Sequence, residues 1–66
     1  MIGNTRTAVI DRLRDLPGVV SLYELAPIVY AGHDQHDVVA CLFRLQDEGV
    51  IELLPGNRLR RLRFPA

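Results

Sequence analysis

The sequence predicts one α+β domain, mainly helical, with a small β-hairpin at the C-terminus. Three observations carry this. Residues 34–51, DQHDVVACLFRLQDEGVI, read as one amphipathic helix, a glycine stop and the start of a strand. Two shorter helical patterns precede it, broken by Pro17-Gly18 and by Ala31-Gly32. Two extended runs come after it, joined by the turn-forming stretch Pro55-Gly56-Asn57-Arg58.

In order along the chain, Met1–Gly3 is a loose end, and Asn4 or Thr5 caps a first helix over about residues 5–16. Val9, Ile10, Leu13 and Leu16 form its apolar side, while Arg6, Asp11, Arg12 and Asp15 decorate a solvated face. Val19-Val20 is a short extended link or one small strand. Ser21-Leu22-Tyr23-Glu24 reads as a capping box, the serine hydroxyl on the Glu24 amide and the Glu24 carboxylate back on the serine amide. It opens a second helix over about 22–30, with Leu25, Ile28 and Val29 turned inward. Pro27 conflicts with a helix interior at a cost of about 3 kcal/mol, so a kink is expected there, or an end near Ala26.

The third helix covers about 35–48. Asp34 suits its N-cap, Asp37 its first turn, and Val38, Cys41, Leu42 and Leu45 make a single apolar stripe. Gly49 stands where a left-handed residue ends a helix. Two strands are expected over about 50–54 and 59–64, with Leu62 and Phe64 closing over the core and Arg61 and Arg63 on the opposite face.

Sixty-six residues make a single domain, 1–66. A chain this short buries only about 60% of its unfolded surface, which leaves it marginally stable unless it pairs with something. Its 48% hydrophobic content is ample for a core. One cysteine excludes an internal disulfide and suits a reducing compartment. No apolar run approaches the roughly 20 residues of a membrane span, and no signal-peptide pattern opens the chain, so a cytoplasmic protein without membrane contact is expected. A methionine start and the end at Phe64-Pro65-Ala66 favour a complete small protein. Net charge is zero, but it is unevenly spread. Asp34, Asp37, Asp47, Glu48 and Glu52 against Arg44 alone leave residues 34–52 at −4. Arg58, Arg60, Arg61 and Arg63 leave residues 53–66 at +4, and every one of the eight basic residues is arginine.

Chemistry leaves little trace. His33, Asp34, His36, Asp37 and Cys41 invite a metal reading, yet Cys41 lies on the core stripe and His36 almost opposite it. His33 with His36 or Asp37 would need a second chain to hold zinc, and solvated helix-capping residues are the plainer reading. Both glycine-rich phosphate loops are absent. Ser21 is committed to a cap and Cys41 to the core, so no nucleophile is free. The expectation is a non-enzyme with no cofactor and no metal site.

Ser21-Leu22-Tyr23-Glu24-Leu25-Ala26 in the second helix, Val38, Leu42 and Leu45 with Glu48-Gly49-Val50-Ile51 in the third, and Leu62 with Phe64 in the returning strand resemble the winged helix-turn-helix domains. The resemblance covers about Thr5 to Phe64 and implies a three-helix winged helix-turn-helix fold with its wing hairpin at the C-terminus. It further implies binding to double-stranded DNA, as a small transcriptional regulator or the DNA-binding domain of a larger DNA-associated protein. Carried over by position, Gln35 and His36, with Val39, Ala40 and Phe43, would face base edges, and Asn57, Arg58, Arg60, Arg61 and Arg63 would contact phosphates. The other reading of the wing is an edge strand charged against aggregation.

The third helix departs from that pattern. Opposite its core stripe stand His36, Ala40, Phe43 and Asp47, with Val39 beside them and Asp34 and Asp37 at the helix start. Carboxylates repel phosphates, and an exposed Val39–Phe43 pair is the mark of a protein contact. Alternatively Phe43 folds back onto the wing. A protein-interaction module or homodimerising adaptor, working through Val39 and Phe43, is therefore the second expectation.

Overall fold

A computed structural model of the protein describes residues 4–63. Helix α1 (Thr5–Arg14) starts where the Asn4 side chain accepts the amides of Arg6 and Thr7 at 2.8 and 3.3 Å. Thr5 is thus the first helical residue rather than the cap, and its hydroxyl meets His33 Nδ1 at 3.0 Å. The helix stops short of Leu16, because the Asp15 and Leu16 amides close a tight last turn on the Arg12 and Leu13 carbonyls just before Pro17. Val9 and Leu13 are fully buried, while Ile10 and Leu16 only pack against the core from its edge.

Val19–Ser21 form a strand, β1. It pairs antiparallel with the second hairpin strand, so the sheet has three strands in the order β1-β3-β2, where β2 is Ile51–Leu54 and β3 is Arg58–Arg61. The register sets Val20 against Leu59 on one side and Leu53 against Leu59 on the other. Strand β1 is the small strand expected as one reading of Val19-Val20, and it adds a third strand to the expected hairpin. Its returning strand is the centre of the sheet and not an edge.

Ser21 caps the turn after β1, but not as a capping box. Its hydroxyl accepts the Tyr23 amide at 3.1 Å, because Leu22–Leu25 wind as a tight 3-10 turn. The Glu24 carboxylate turns away to Arg12, 3.3 Å from Nη2, and Arg12 Nε donates to the Glu24 carbonyl at 3.0 Å. Helix α2 is only Ala26–Tyr30, and Pro27 sits in its first turn. There a missing amide hydrogen costs nothing, so the proline starts the helix instead of kinking it.

Helix α3 (Gln35–Asp47) begins with Asp34 accepting the His36 amide at 2.7 Å. It ends at Gly49, whose φ of 77° lies in the left-handed region. The Gly49 amide donates to the Gln46 carbonyl and the Val50 amide to the Leu45 carbonyl, both at 3.0 Å. This pair of bonds is the Schellman motif, and it turns the chain straight into β2. Gln46 then holds the joint, its Oε1 accepting the Leu53 amide at 2.9 Å. At the hairpin tip Gly56 and Asn57 have φ of 80° and 56°, the two consecutive left-handed residues that suit the right-handed twist of a hairpin.

The core lies between the helices and one face of the sheet. Val9 and Leu13 enter from α1, Leu25 and Ile28 from the turn and α2, Val38, Cys41, Leu42 and Leu45 from α3, and Val20, Ile51 and Leu59 from the strands. Leu62 does not close over it. Leu59 takes that place, strand β3 ends at Arg61, and Leu62 lies beyond it 53% exposed. Arg61 shares the inner face with Leu59 rather than lying opposite, since residues two apart on a strand point the same way. Phe64 lies outside the described residues. No helix among the described residues is long and apolar enough to cross a membrane.

Candidate functional site

The inner stripe of α3 fixes what its outer side presents. With Val38, Cys41, Leu42 and Leu45 held in the core, helical geometry turns His36, Ala40, Phe43 and Asp47 outward, and all four are exposed. Phe43 is 54% and Val39 42% exposed, so Phe43 does not fold onto the hairpin.

Beside this face an apolar groove of about 410 Å³ runs between the 3-10 turn, α2, α3 and the hairpin tip. Leu22, Leu25, Ala26, Val29, Val38 and Leu42 form its floor and walls, and Tyr23, Tyr30, Val39, Gln35 and Asn57 its rim. None of the described residues that line it is charged. Tyr23 and Tyr30 are 76% and 87% exposed, and together with Val39 and Phe43 they make most of the exposed large hydrophobic residues among those described. Sequence reasoning misses both tyrosines. Their seven-residue spacing is the available signal, because it puts two aromatics on one side of a helical segment.

The residues expected to meet DNA are not gathered together. Gln35 and Asn57 both line the groove, with Arg58 next in the chain at the hairpin tip. Arg58 bends back so that its Nε donates to the Pro55 carbonyl at 3.3 Å. Arg60, on the outer face of the sheet, pairs across the strands with Glu52 at 3.4 Å. Arg61 reaches over the C-terminal end of α1, its Nη1 donating to the Arg14 carbonyl at 3.4 Å. Arg63 is exposed past the end of β3, where its amide donates to the Val50 carbonyl. His36 is exposed in the first turn of α3.

The opposite flank of α3 is tied to α1. Arg6 holds Glu48 through two hydrogen bonds, Nη1 to Oε2 at 3.0 Å and Nη2 to Oε1 at 2.6 Å. That bonding holds the Glu48 carboxyl below its usual range and raises the Arg6 guanidinium above its own. Burial pushes the Cys41 thiol up, with Arg6 and Arg44 opposing. Among the described residues no three acidic, histidine or cysteine side chains gather as metal ligands, and His33 is engaged by Thr5. No protein-family model, curated protein or solved structure matches the chain.

Proposed function

We propose that the chain is a winged-helix module that binds another protein rather than catalysing a reaction, using the outer face of α3 and the groove beside it. The observation that carries this reading is the make-up of that surface. Tyr23, Tyr30 and Val39 stand exposed around a groove that no charged described residue lines, and Phe43 stands exposed one helical turn from Val39. A monomer that leaves a contiguous apolar face open has a use for it. Tyrosine is also enriched where proteins meet, because its ring buries well and its hydroxyl tolerates water.

The charge distribution supports the same side. Affinity for a duplex comes mainly from lysine and arginine beside phosphates. The acidic Asp34, Asp37 and Asp47 instead flank the helix that would enter the groove of DNA, and Arg60 is already answered by Glu52. Arg58 opens β3, and Arg63 lies past its end where the chain bends.

One observation favours the second reading, a DNA-binding winged helix in a small regulator or a larger protein. Asn57 and Gln35 line the same groove, so the hairpin tip and the first turn of α3 open onto one surface, with Arg58 next in the chain to Asn57. Titration of a labelled random duplex at low and at moderate salt separates the two. The protein-binding reading expects no more affinity than a neutral protein shows, at either salt. Tight binding at low salt that collapses at moderate salt, and is lost in an Arg58→Ala, Arg60→Ala variant, would overturn it.

A further inference from the structure

Along the outer face of α3, His36, Ala40, Phe43 and Asp47 recur at intervals of four, three and four residues and are all exposed. That is the spacing of a seam between two helices. Asp37 and Arg44 flank the seam on the α1 side, where both line one shallow depression with Ala40. Resting on the protein-docking reading, we propose that the partner at this seam is a second copy of the chain, with the two α3 helices packed antiparallel about a two-fold axis.

Size and charge both select this occupant. A two-fold axis passing level with the middle of α3, between Cys41 and Leu42, sets Phe43 of each copy over the partner's Ala40. The largest side chain of the seam then meets the smallest, as interdigitating helices require. The same axis sets His36 against the partner's Asp47. Rotation about a two-fold axis also keeps like flanks together, so Asp37 lies beside the partner's Arg44. Each charge on the face thereby finds its opposite or a hydrogen-bonding ring. A parallel arrangement would set Asp47 against the partner's Asp47, two carboxylates that repel, and would give neither of them a hydrogen-bonding ring. Thirteen residues of α3 span about 20 Å, a short contact, so the assembly forms with concentration rather than permanently.

The test is sedimentation equilibrium of the full chain over a wide concentration range, for the wild type and four variants. The wild type should pass from monomer to dimer, and Phe43→Ser should raise the dissociation constant about tenfold or more. His36→Asp alone and Asp47→Arg alone should each weaken the dimer. The double variant His36→Asp, Asp47→Arg should restore it, because the charges are exchanged between the two ends of the seam. Both exchanges also suit the helix dipole, an acid near its start and a base near its end, so the fold is kept, which circular dichroism checks. A wild type that stays monomeric overturns the self-pairing. So does a dimer indifferent to Phe43→Ser, or a double variant no better than the singles. These results leave docking of a different protein standing, whereas salt-sensitive duplex binding through the hairpin arginines would remove that reading first.

Discussion

Helix α3 carries two stripes of similar length and opposite fate. The inner one, Val38, Cys41, Leu42 and Leu45, is the middle of the core, with Leu45 fully buried. The outer one, His36, Ala40, Phe43 and Asp47, meets solvent, although Phe43 is as apolar as anything inside. The contrast separates two demands on one helix. The inner stripe answers to stability, and every one of its members touches the cluster from α1, α2 and the sheet. The outer stripe contributes nothing to that cluster, so its composition is free to serve a partner.

The largest effect is expected at Leu45. Leu45→Ala should cost roughly 2–5 kcal/mol, read from urea denaturation, since a cavity opens where no side chain can follow. In a chain of this size that removes much of the folded population. A cost below about 1 kcal/mol would mean that the inner stripe is not the centre of the core.

A smaller effect is expected at the joint between α1 and α3. Arg6 and Glu48 are both well exposed there, so solvent screens their pairing and the effect is modest. Its sign is nonetheless definite. The folded carboxyl of Glu48 titrates below the unfolded one. Its contribution is full above the unfolded value, about 4.3, and disappears as pH falls through the lower folded value. Thermal midpoints of wild type and Glu48→Gln should therefore differ at neutral pH and converge in acid. A difference that persists unchanged into strong acid would rule the pair out as its source.

The smallest change is expected on the outer stripe. Phe43→Ser, studied dilute enough to be monomeric, should move stability by no more than about 0.5 kcal/mol. A loss comparable with that of Leu45→Ala would merge the two stripes and end the distinction between them.

Much of α3 is legible in the sequence because its signals are local. The 3.6-residue period, the Asp34 cap and the Gly49 stop each lie within a few residues of what they determine. The features that escape a sequence reading are set by distant partners. Val19-Val20 reads as either a link or a small strand, and β3, some forty residues later, decides for the strand by supplying the other half of its ladder. Glu24 completes no capping box because Arg12, a helix away, takes its carboxylate. Pro27 reads as a helix-interior residue, whereas the 3-10 turn before it makes it the start of α2. Leu62 matches by pattern the core position that Leu59 holds, an error of strand register and length. The outward set His36, Ala40, Phe43 and Asp47 is readable once the inner stripe is known. The groove is not, since it exists only where α2, α3 and the hairpin tip converge.

Backbone amide shifts in isotope-labelled protein, followed first on concentrating it and then on adding duplex at low salt, show which partner the outer face of α3 meets. If the outer face of α3 is a protein-contact face, amides around Ala40, Phe43 and Asp47 shift with protein concentration and the duplex moves nothing. A spectrum unchanged by concentration, in which duplex shifts Gln35, His36, Asn57 and Arg58, would contradict the account and hand that face to DNA.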